Sequence, residues 1–344
     1  MGLLQKIIDL VKEELQGETK KPAKSQGKQK ASASKPKGDS FEQLCAKAKA
    51  GDLAAQYNLY DQYADKADKS EALEALFTEM MNNGNAEGEG LLGCLLSTRQ
   101  GNEKEANDLI KGAIAKGALF PLVFSGIFYA CPRGTRRDWD PDVKDRRVLV
   151  TPVEPLSAVF YLRKAADKLE QCSDEVRLAY HVVYGHLAYA YMYTTDENNI
   201  RKYAMLGAEM NDPISCFVMG RLYDRGGISG IQQNIDYAFR YYNKAEKNAQ
   251  TMPDTTRAFL YREMGALYNE KGQRKGSVEA FKTSAKYYLK AAELGASYAM
   301  IALANYYESG NTLPQDLDKA LSLRNKAIAA GYDYNRRKTA PFSL

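Results

Sequence analysis

The stretch that decides the fold begins with Met264-Gly265-Ala266-Leu267-Tyr268 and continues with Tyr288-Leu289-Lys290-Ala291-Ala292-Glu293-Leu294-Gly295. In the first run a small residue precedes an aromatic residue, and the second run is an Ala- and Lys-rich helix that ends in glycine. The same order returns in Ala304-Asn305-Tyr306-Tyr307 and in a helix that closes at Ala330-Gly331. A unit that recurs at this length is typical of stacked helical hairpins. Stacked hairpins present a surface rather than a pocket, so the repeat predicts binding rather than chemistry.

Seven copies of this phrase recur along the chain, and each is expected in the first helix of a hairpin. The copies are residues 55–60, 92–95, 125–129, 184–189, 219–223, 264–268 and 304–307. The small residue is glycine in five of them, although glycine inside a helix lowers its stability. Its recurrence at one position therefore predicts a close crossing between helices that leaves no room for a side chain. The pattern predicts an all-α solenoid of about seven hairpins.

An amphipathic helix is expected at residues 1–15. Leu4, Ile7, Ile8 and Val11 recur at three- and four-residue steps, which predicts one apolar stripe on a short helix. Such a helix is marginally stable alone in water. We therefore expect these residues to dock on the protein's own body, on a second copy or on another molecule.

The rest of the chain divides by composition. Residues 16–40 contain seven lysines, two prolines and no apolar residue larger than alanine, which indicates a disordered linker. The repeats are then assigned to residues 41–335, with an insertion at about 131–154. Residues 336–344 are expected to form a short basic tail.

The insertion is a candidate binding element, because the step from Gly126 to Gly185 is longer than the others and a long loop in a repeat array is often functional. The only tryptophan lies within it, among arginines that alternate with aspartates. The candidate contact residues are Arg133, Arg136, Arg137, Trp139, Arg146 and Arg147. Tryptophan beside arginine is typical of interface anchors, but a mixed charge run is as typical of a solvated or self-packed loop. Equal partner affinity for wild type and a Trp139→Ala, Arg136→Ala variant would contradict the binding interpretation.

Charge and cysteine content exclude several classes of function. The lysines of residues 16–40 account for the whole net charge of +5, so the repeats are balanced. A balanced body disfavours specific nucleic-acid binding, and binding through the lysines alone would be non-specific and steeply salt-dependent. Five widely separated cysteines form no metal knuckle or redox pair, which indicates a reducing compartment. No membrane-length apolar run or signal-peptide pattern is found, so the expected location is the cytoplasm.

The clearest copies resemble the Sel1-like repeats, relatives of the tetratricopeptide repeats with longer and more variable units. The run Leu313-Pro314-Gln315-Asp316-Leu317-Asp318-Lys319-Ala320, followed by Lys326-Ala327, has the family's loop and second helix, and residues 287–295 have its second-helix ending. Residues 230–238 match more loosely, and the copies before residue 210 are degenerate. The resemblance covers about residues 41–335. It implies a right-handed α-superhelix that acts as an adaptor or scaffold for other proteins, and it brings no catalytic residues.

Catalysis is not predicted by any motif. His181 and His186 lie five residues apart, which places them on different faces of a helix, whereas a zinc pair needs a four-residue step and a third ligand. Packing or hydrogen-bonding roles are expected for both. The run Gly272-Gln273-Arg274-Lys275-Gly276-Ser277 has the residues of a phosphate loop in the wrong spacing, so a hairpin loop is expected there. The interpretation is a protein that is not an enzyme and holds neither a metal nor a cofactor.

A partner-binding groove is expected beside the register of small residues. Tyr223, Tyr268 and Tyr307 share that register and are expected in the core. The flanking polar residues are better groove candidates, although a solvated helix face would explain them nearly as well. These candidates are Arg221, Asp224, Asn269, Asn305 and Glu308.

The combined interpretation is a non-catalytic adaptor or regulatory scaffold that binds partner proteins through the concave surface of its stacked first helices. The insertion would add a local clamp, and the amino-terminal helix would recruit a second element, which raises effective concentration. The alternative is a membrane-surface accessory protein anchored by residues 1–40, because an apolar helix face and a basic segment supply two anchoring signals. Against it, residues 1–15 carry a net charge of −1. Co-sedimentation with anionic vesicles that disappears on deletion of residues 1–40 would favour the alternative.

Overall fold

Helices make up the regular structure of the residues that this computed structural model describes. Those residues are 39–99, 101–130, 154–194, 196–227, 230–330 and 332. They form 16 α-helices and two short 3-10 helices, and they contain no strand. The all-helical class expected from the repeat is confirmed.

The helices fall into two compact units, each of which is described by itself. The amino-terminal unit, here residues 39–130 and 154–218, contains α1 (Phe41–Lys49), α2 (Leu53–Tyr63), α3 (Ser70–Asn82), α4 (Ala86–Ser97), α5 (Glu103–Ala115), α6 (Phe120–Ala130), α7 (Pro155–Leu169), α8 (Asp174–Ala179), α9 (Val182–Tyr191) and α10 (Glu197–Glu209). Helix α11 (Pro213–Arg225) begins in this unit and continues into the carboxyl-terminal unit, here residues 219–332. That unit also contains α12 (Ile235–Glu246), α13 (Asp254–Lys275), α14 (Val278–Glu293), α15 (Ser297–Ser309) and α16 (Leu317–Ala329).

The seven repeated phrases lie in seven different helices, as the register predicts. These helices are α2, α4, α6, α9, α11, α13 and α15, and the second helices that follow them are α3, α5, α7, α10, α12, α14 and α16. Packing joins α4 to α5, α6 to α7, α9 to α10, α13 to α14 and α15 to α16. The predicted pairing of first and second helices is therefore confirmed for these five copies.

The first copy departs from the pattern because of two helices that the repeat does not predict. Helix α2 packs against α1 and α8, while α3 packs against α4. Helix α1 supplies a buried face formed by Leu44 and Ala48. The Gln56 side chain donates a hydrogen bond to the backbone oxygen of Ala48 at 3.0 Å. Neither α1 nor α8 carries the repeated phrase, so the register of small residues could not indicate them.

Polar side chains fix where several helices begin. The Ser40 side chain accepts a hydrogen bond from the backbone N–H of Gln43, and the Gln43 side chain accepts one from the backbone N–H of Ser40. This capping box satisfies two N–H groups that the first turn of α1 leaves unpaired. Asn234 and Asp316 cap α12 and α16 in the same way, by accepting from a backbone N–H three residues later.

Glycines end two of the second helices, as expected. Gly117 follows α5 with a φ of 88°, and Gly295 follows α14 with a φ of 86°. These values lie in the left-handed region that favours glycine at a helix terminus. The third expected terminator, Gly331, lies outside the described residues.

Close helix crossings explain the glycines that recur inside the first helices. A Cβ atom added at Gly220 would lie 2.4 Å from the Tyr242 ring, and one added at Gly265 would lie 2.7 Å from the Tyr288 ring. Each distance is too short for two carbon atoms, so a side chain at either glycine would displace a ring of the following helix. The predicted crossing without a side chain is confirmed.

The tyrosines of the register differ in depth. Tyr307 is fully buried, whereas Tyr223 and Tyr268 are half-buried. The Tyr223 ring stacks on Tyr241 at 5.6 Å, and the Tyr268 ring stacks on Tyr287 at 5.5 Å. The prediction of a core position is therefore confirmed for Tyr307 alone, because the other two rings pack along the surface against a neighbouring ring.

Candidate functional site

A groove lies along α13, α14 and α15 in the carboxyl-terminal unit. Its volume is about 630 Å³. The lining residues that matter most are Asn269, Phe281, Tyr298, Ile301, Asn305 and Tyr306. We call it the amide groove, because asparagine side chains line it. Two of the five groove residues expected from the sequence, Asn269 and Asn305, are thus among its lining.

The walls of the amide groove are held by a polar link between its three helices. Ser284 Oγ donates a hydrogen bond to the backbone oxygen of Gly265 at 2.6 Å, in the same crossing that seats Tyr288. The Tyr306 hydroxyl lies 2.9 Å from the same Ser284 oxygen. Ser284 is fully buried, so its hydrogen bond to Gly265 forms in a region of low dielectric constant, where it is strong. This bond joins α14 to α13, and the contact between the Ser284 and Tyr306 hydroxyl groups joins α14 to α15 beneath the groove.

The two asparagine amides share one hydrogen-bond arrangement. The Tyr306 hydroxyl donates to Asn269 Oδ1 at 2.9 Å, and Arg324 Nη2 donates to Asn305 Oδ1 at 3.0 Å. Each carbonyl oxygen therefore has a partner, whereas neither Nδ2 group makes a hydrogen bond to any residue in the described part of the chain. A primary amide carries two N–H donors. Both asparagines can offer these donors to a molecule in the groove.

Apolar and aromatic surface adjoins the amide donors. Ile301 is buried and Phe281 is half-buried, while Tyr298 has 43 % of its surface exposed. The Arg262 guanidinium lies 5.9 Å from the centroid of the Tyr298 ring, within the range of a cation–π contact. The described residues that line the groove include no charged side chain. The groove therefore offers donors, rings and aliphatic surface.

This combination of groups suits an extended peptide segment. Amide N–H donors can pair with main-chain carbonyl oxygens whatever the peptide's sequence, as in other modes of peptide recognition that use main-chain hydrogen bonds. Tyrosine adds a large apolar face next to a polar hydroxyl.

Glu308 borders the amide groove without lining it. Its carboxylate is exposed and contacts Arg324, the same guanidinium that donates to Asn305. Arg324 is thus held between a carboxylate and an amide oxygen. Glu308 positions the cation that fixes the Asn305 amide, which is an indirect role at the site.

Arg221 and Asp224 lie away from the amide groove, in an ionic cluster between α11 and α13. Arg221 is only 7 % exposed, and its Nη1 atom lies 3.9 Å from Glu263 Oε1. Glu263 also contacts Arg262. The structure therefore places Arg221 in the interior, where it balances a buried carboxylate, rather than on a groove surface.

Opposite pKa shifts follow from this cluster. Burial alone would raise the pKa of Glu263, but the guanidinium groups of Arg262 and Arg221 hold that pKa at about 2. Burial, and next the negative charge of Glu263, raises the pKa of Asp224 to about 6. Glu263 is therefore ionised throughout the physiological pH range, whereas Asp224, with a pKa of about 6, becomes protonated just below neutral pH.

Other residues expected to bind partners lie outside the described residues. They are the insertion residues Arg133, Arg136, Arg137, Trp139, Arg146 and Arg147, and the docking residues Leu4, Ile7, Ile8 and Val11. The linker and the basic tail fall outside as well, apart from residues 39 and 40. All of these assignments stay predictions.

The two histidines occupy packing and hydrogen-bonding positions. His181 Nδ1 lies 3.2 Å from Asp212 Oδ2. His186 is buried, and burial lowers its pKa to about 4. Among the described residues no group of three or more His, Cys, Asp or Glu side chains is placed to hold a metal ion. The roles expected for the histidines are confirmed by their contacts and burial.

Tyr298 and Tyr306 are groove residues that the sequence analysis does not predict. A signal for Tyr306 exists, because its copy of the phrase carries two adjacent tyrosines where the Gly265 copy carries one. The register assigns Tyr307 to the core, which leaves Tyr306 on a neighbouring face of the same helix. Tyr298 has no comparable signal, since it lies in the first turn of α15, before the repeated phrase.

Comparison with known families identifies the repeat. The sequence profile described as the Sel1 repeat matches residues 150–168, 213–249, 258–295 and 297–332. No curated protein matches the chain. The chain is thus an all-α repeat protein of the solenoid class. The four matched stretches are Sel1 repeats, and the last two of them cover the helices that form the amide groove.

Two solved structures are similar to this chain at low sequence identity. One is the crystal structure of a Sel1 repeat protein from Oxalobacter formigenes, with 18 % identity and a TM-score of 0.45 over 75 % of this chain and 85 % of that one. The other is c5321, a protective antigen present in uropathogenic Escherichia coli strains that displays an SLR fold. It has 20 % identity and a TM-score of 0.38 over 86 % of this chain and 65 % of that one. The match thus spans less than two thirds of the c5321 chain.

Proposed function

We propose that this chain is a non-catalytic adaptor or regulatory scaffold that binds partner proteins in the cytoplasm. Sel1 repeats are in general scaffolds for protein–protein interaction. The observation that carries the proposal is the pair of asparagine amides in the amide groove. Their oxygens are held by Tyr306 and Arg324, and their N–H donors have no partner in the described part of the chain.

The partner binds in the amide groove as an extended segment. Asn269 and Asn305 donate hydrogen bonds to its main-chain carbonyl oxygens, and Tyr298 covers one of its apolar side chains. Because the amide oxygens are already bonded, the amides are oriented before binding and little rotamer entropy is lost. Main-chain hydrogen bonds supply affinity for many segments, while the apolar lining of the groove selects among segments by their side chains.

Two further elements extend this function. The insertion, through Trp139 and the neighbouring arginines, adds a clamp, and the amphipathic helix of residues 1–15 recruits a second element. A chain with two binding elements raises the effective concentration of the molecules it brings together. Both elements are proposed from sequence alone.

Anchoring at a membrane surface is the alternative function, and it depends on residues 1–40. Those residues lie outside the described part, apart from residues 39 and 40. Among the described residues, no helix combines the length and the apolar character needed to cross a membrane. The adaptor function is preferred because the amide groove supports it.

A double variant, Tyr298→Ala with Asn305→Ala, tests the amide groove. Asn305 is exposed and Tyr298 is 43 % exposed, so the fold should survive while the bound segment loses an apolar contact and a pair of donors. Affinity capture from native lysate with the full-length chain should retain a stoichiometric protein on wild type. We expect about a tenfold loss of that protein on the double variant, as for two contacts of ordinary strength.

Tyr237→Ala is the matched control for this experiment. Tyr237 is 45 % exposed, close to the value for Tyr298, and it belongs to the same unit without lining the groove. The control should capture the partner as well as wild type does. Equal capture by wild type and the double variant, or an equal loss with Tyr237→Ala, would contradict a role for the amide groove.

A further inference from the structure

An aromatic cleft lies between α2 and α6 in the amino-terminal unit. It is formed by Tyr57, Tyr60, Asp61, Phe120, Phe124 and Phe128. Its volume is about 240 Å³, which is below the roughly 300–1,000 Å³ of ordinary small-molecule sites. The aromatic cleft is therefore sized for one or two side chains rather than for a metabolite or a cofactor.

The inner wall of the aromatic cleft is rigid. The Tyr60 ring lies 4.8 Å from the Phe120 ring, and the Tyr57 ring lies 4.6 Å from the Tyr180 ring. The Tyr60 hydroxyl donates a hydrogen bond to the Cys94 backbone oxygen at 3.1 Å, which fixes the orientation of the ring. Aromatic walls fixed in this way lose little conformational entropy when a ligand binds.

The mouth of the cleft is apolar and open. Phe128 has 44 % of its surface exposed, and the neighbouring Phe124 is half-buried. The rings of Phe120 and Phe124 stack at 6.5 Å, so the exposed surface continues into the buried wall. Exposed aromatic surface that adjoins a cleft is typical of interaction sites, where aromatic anchors supply most of the binding energy.

Charge decides which partner fits. Asp61 is the only charged residue among the described residues that line the cleft, it is exposed, and it forms no ion pair in the described part of the chain. Although Asp61 is exposed, the chain packed around it partly desolvates its carboxylate, and this effect, opposed by His181 and reinforced by the negative charge of Asp65, raises the pKa of Asp61. A cation placed here would neutralise the carboxylate and could contact the face of a tyrosine ring. A purely apolar partner would leave the carboxylate covered and unpaired, at a cost in affinity.

We propose that the aromatic cleft binds a protein segment in which a bulky aliphatic or aromatic side chain stands beside an arginine or lysine. The apolar side chain fills the space between Tyr60 and Phe124, and the basic side chain pairs with Asp61. This site is separate from the amide groove and differs from it in chemistry, since the amide groove has no charged lining residue. The aromatic cleft thus gives the chain a second specificity.

Selection from a random peptide library displayed on phage tests the proposal directly. Immobilised full-length protein is the bait, and the enriched peptides are synthesised and their affinities measured by fluorescence anisotropy. We expect one class of peptides to place Leu, Ile, Phe or Trp within two residues of Arg or Lys. Its members should bind Asp61→Asn and Phe128→Ser about tenfold more weakly than wild type, the loss typical of one charge-assisted hydrogen bond or one aromatic contact.

Two controls separate this site from general effects. Asp65→Asn removes the same charge from a neighbouring exposed residue that does not line the cleft, so it should weaken these peptides far less than Asp61→Asn does. The Tyr298→Ala, Asn305→Ala variant of the amide groove should bind them as wild type does. Higher salt should weaken binding to wild type more than binding to Asp61→Asn, because only the former contains the ion pair.

Several results would overturn the proposal. Recovery of no peptide class that depends on both Asp61 and Phe128 would do so, as would a dependent class that lacks basic residues. A full-length Ile7→Asp variant that binds the peptides more tightly than wild type would assign the cleft to the chain's own amino-terminal segment. Loss of self-association in Phe128→Ser would instead assign it to a second copy of the chain.

Discussion

Both units keep the close crossing at a small residue, but the partner of that residue differs between them. In the carboxyl-terminal unit, Gly220 lies against the ring of Tyr242, whereas in the amino-terminal unit Gly126 lies against the side chain of Leu162. Three of the four Sel1 matches begin at or after residue 213. A hairpin can therefore keep the geometry of the repeat although a different residue fills the crossing. The degenerate copies before residue 210 thus differ from the later copies mainly in sequence, and they keep the close helix crossing.

The units also hold their buried carboxylates differently. Glu263, 5 % exposed, faces two arginines in the carboxyl-terminal unit. Asp212, 1 % exposed, accepts a hydrogen bond from the backbone N–H of Ser215 at 2.6 Å and lies 3.2 Å from His181 Nδ1. One carboxylate therefore depends on opposite charge, and the other depends on a helix cap and a histidine.

Replacing each buried carboxylate by the amide of the same shape gives the largest expected effect. Glu263→Gln leaves two guanidinium groups in the interior without their counter-charge, so we expect a loss of about 3–5 kcal/mol in the free energy of unfolding. Asp212→Asn keeps an acceptor for the Ser215 N–H, so we expect a loss of about 1 kcal/mol. Urea denaturation followed by circular dichroism measures both losses. Equal losses would show that the two carboxylates are held by the same forces.

One buried histidine of the amino-terminal unit and one aspartate of the carboxyl-terminal unit should respond to acid in opposite directions. The pKa of His186 is about 4 in the folded chain because the ring is buried, and it is about 6.5 when unfolded. The unfolded state therefore binds the proton more tightly, and the contribution of His186 to stability is lost as pH falls from about 6.5 to 4. The linkage relation gives a loss of about 3 kcal/mol over that window.

Asp224 gives the opposite sign in the carboxyl-terminal unit. Its pKa is raised to about 6 in the folded chain, against about 3.9 when unfolded. The folded state binds this proton more tightly, so its contribution to stability grows as pH falls from about 6 to 4. Glu263 acts in the opposite sense, because its folded-state pKa of about 2 lies below the unfolded value of about 4.3. Its contribution to stability is lost only as pH falls toward 4 and below, so the effect of Asp224 dominates above about pH 5.

Hydrogen exchange followed by mass spectrometry can measure the two responses separately. Between pH 6.5 and 4.5, after correction for intrinsic exchange rates, protection should fall in α9, which carries His186, and should fall less or rise at the carboxyl-terminal end of α11, which carries Asp224. His186→Gln should abolish the acid-dependent loss in α9, because the amide does not titrate. Parallel changes in both helices, or an unchanged loss in His186→Gln, would contradict the assignment to these groups.

The order of helices could be predicted from the sequence because it depends on local, periodic signals. The small residue recurs in each first helix, and Gly117 and Gly295 end their helices as a glycine terminator should. Helices α1 and α8 lack the phrase and could not be predicted from it. Their place in the fold is set by packing against α2 rather than by any repeated residue.

The sites were less predictable because they depend on residues far apart in the chain. Asn269 and Asn305 could be predicted from the sequence, since each lies beside the register of small residues on a first helix. The burial of Arg221 could not be predicted from the sequence, because it depends on Glu263, which lies on a helix about forty residues away. The aromatic cleft likewise joins α2 to α6, and no spacing within either helix indicates the other.

The close crossing itself can be tested by adding one methyl group at the glycine of each unit. Gly220→Ala places a Cβ atom 2.4 Å from the ring of Tyr242, which is fully buried, so we expect a loss of about 3 kcal/mol from overpacking. Gly126→Ala places one equally close to Leu162, which is also fully buried. Because the leucine side chain is smaller than the tyrosine ring and fewer atoms have to shift, we expect a loss of about 1–2 kcal/mol.

A second substitution separates overpacking from the lower helix propensity of glycine. Tyr242→Leu in the Gly220→Ala background gives the added methyl group space, so the double variant should be more stable than the sum of the two single losses predicts. Denaturation midpoints of the four proteins complete the cycle. Additive losses would mean that the ring and the glycine do not interact, and the difference between the units would then have to come from another part of the repeat.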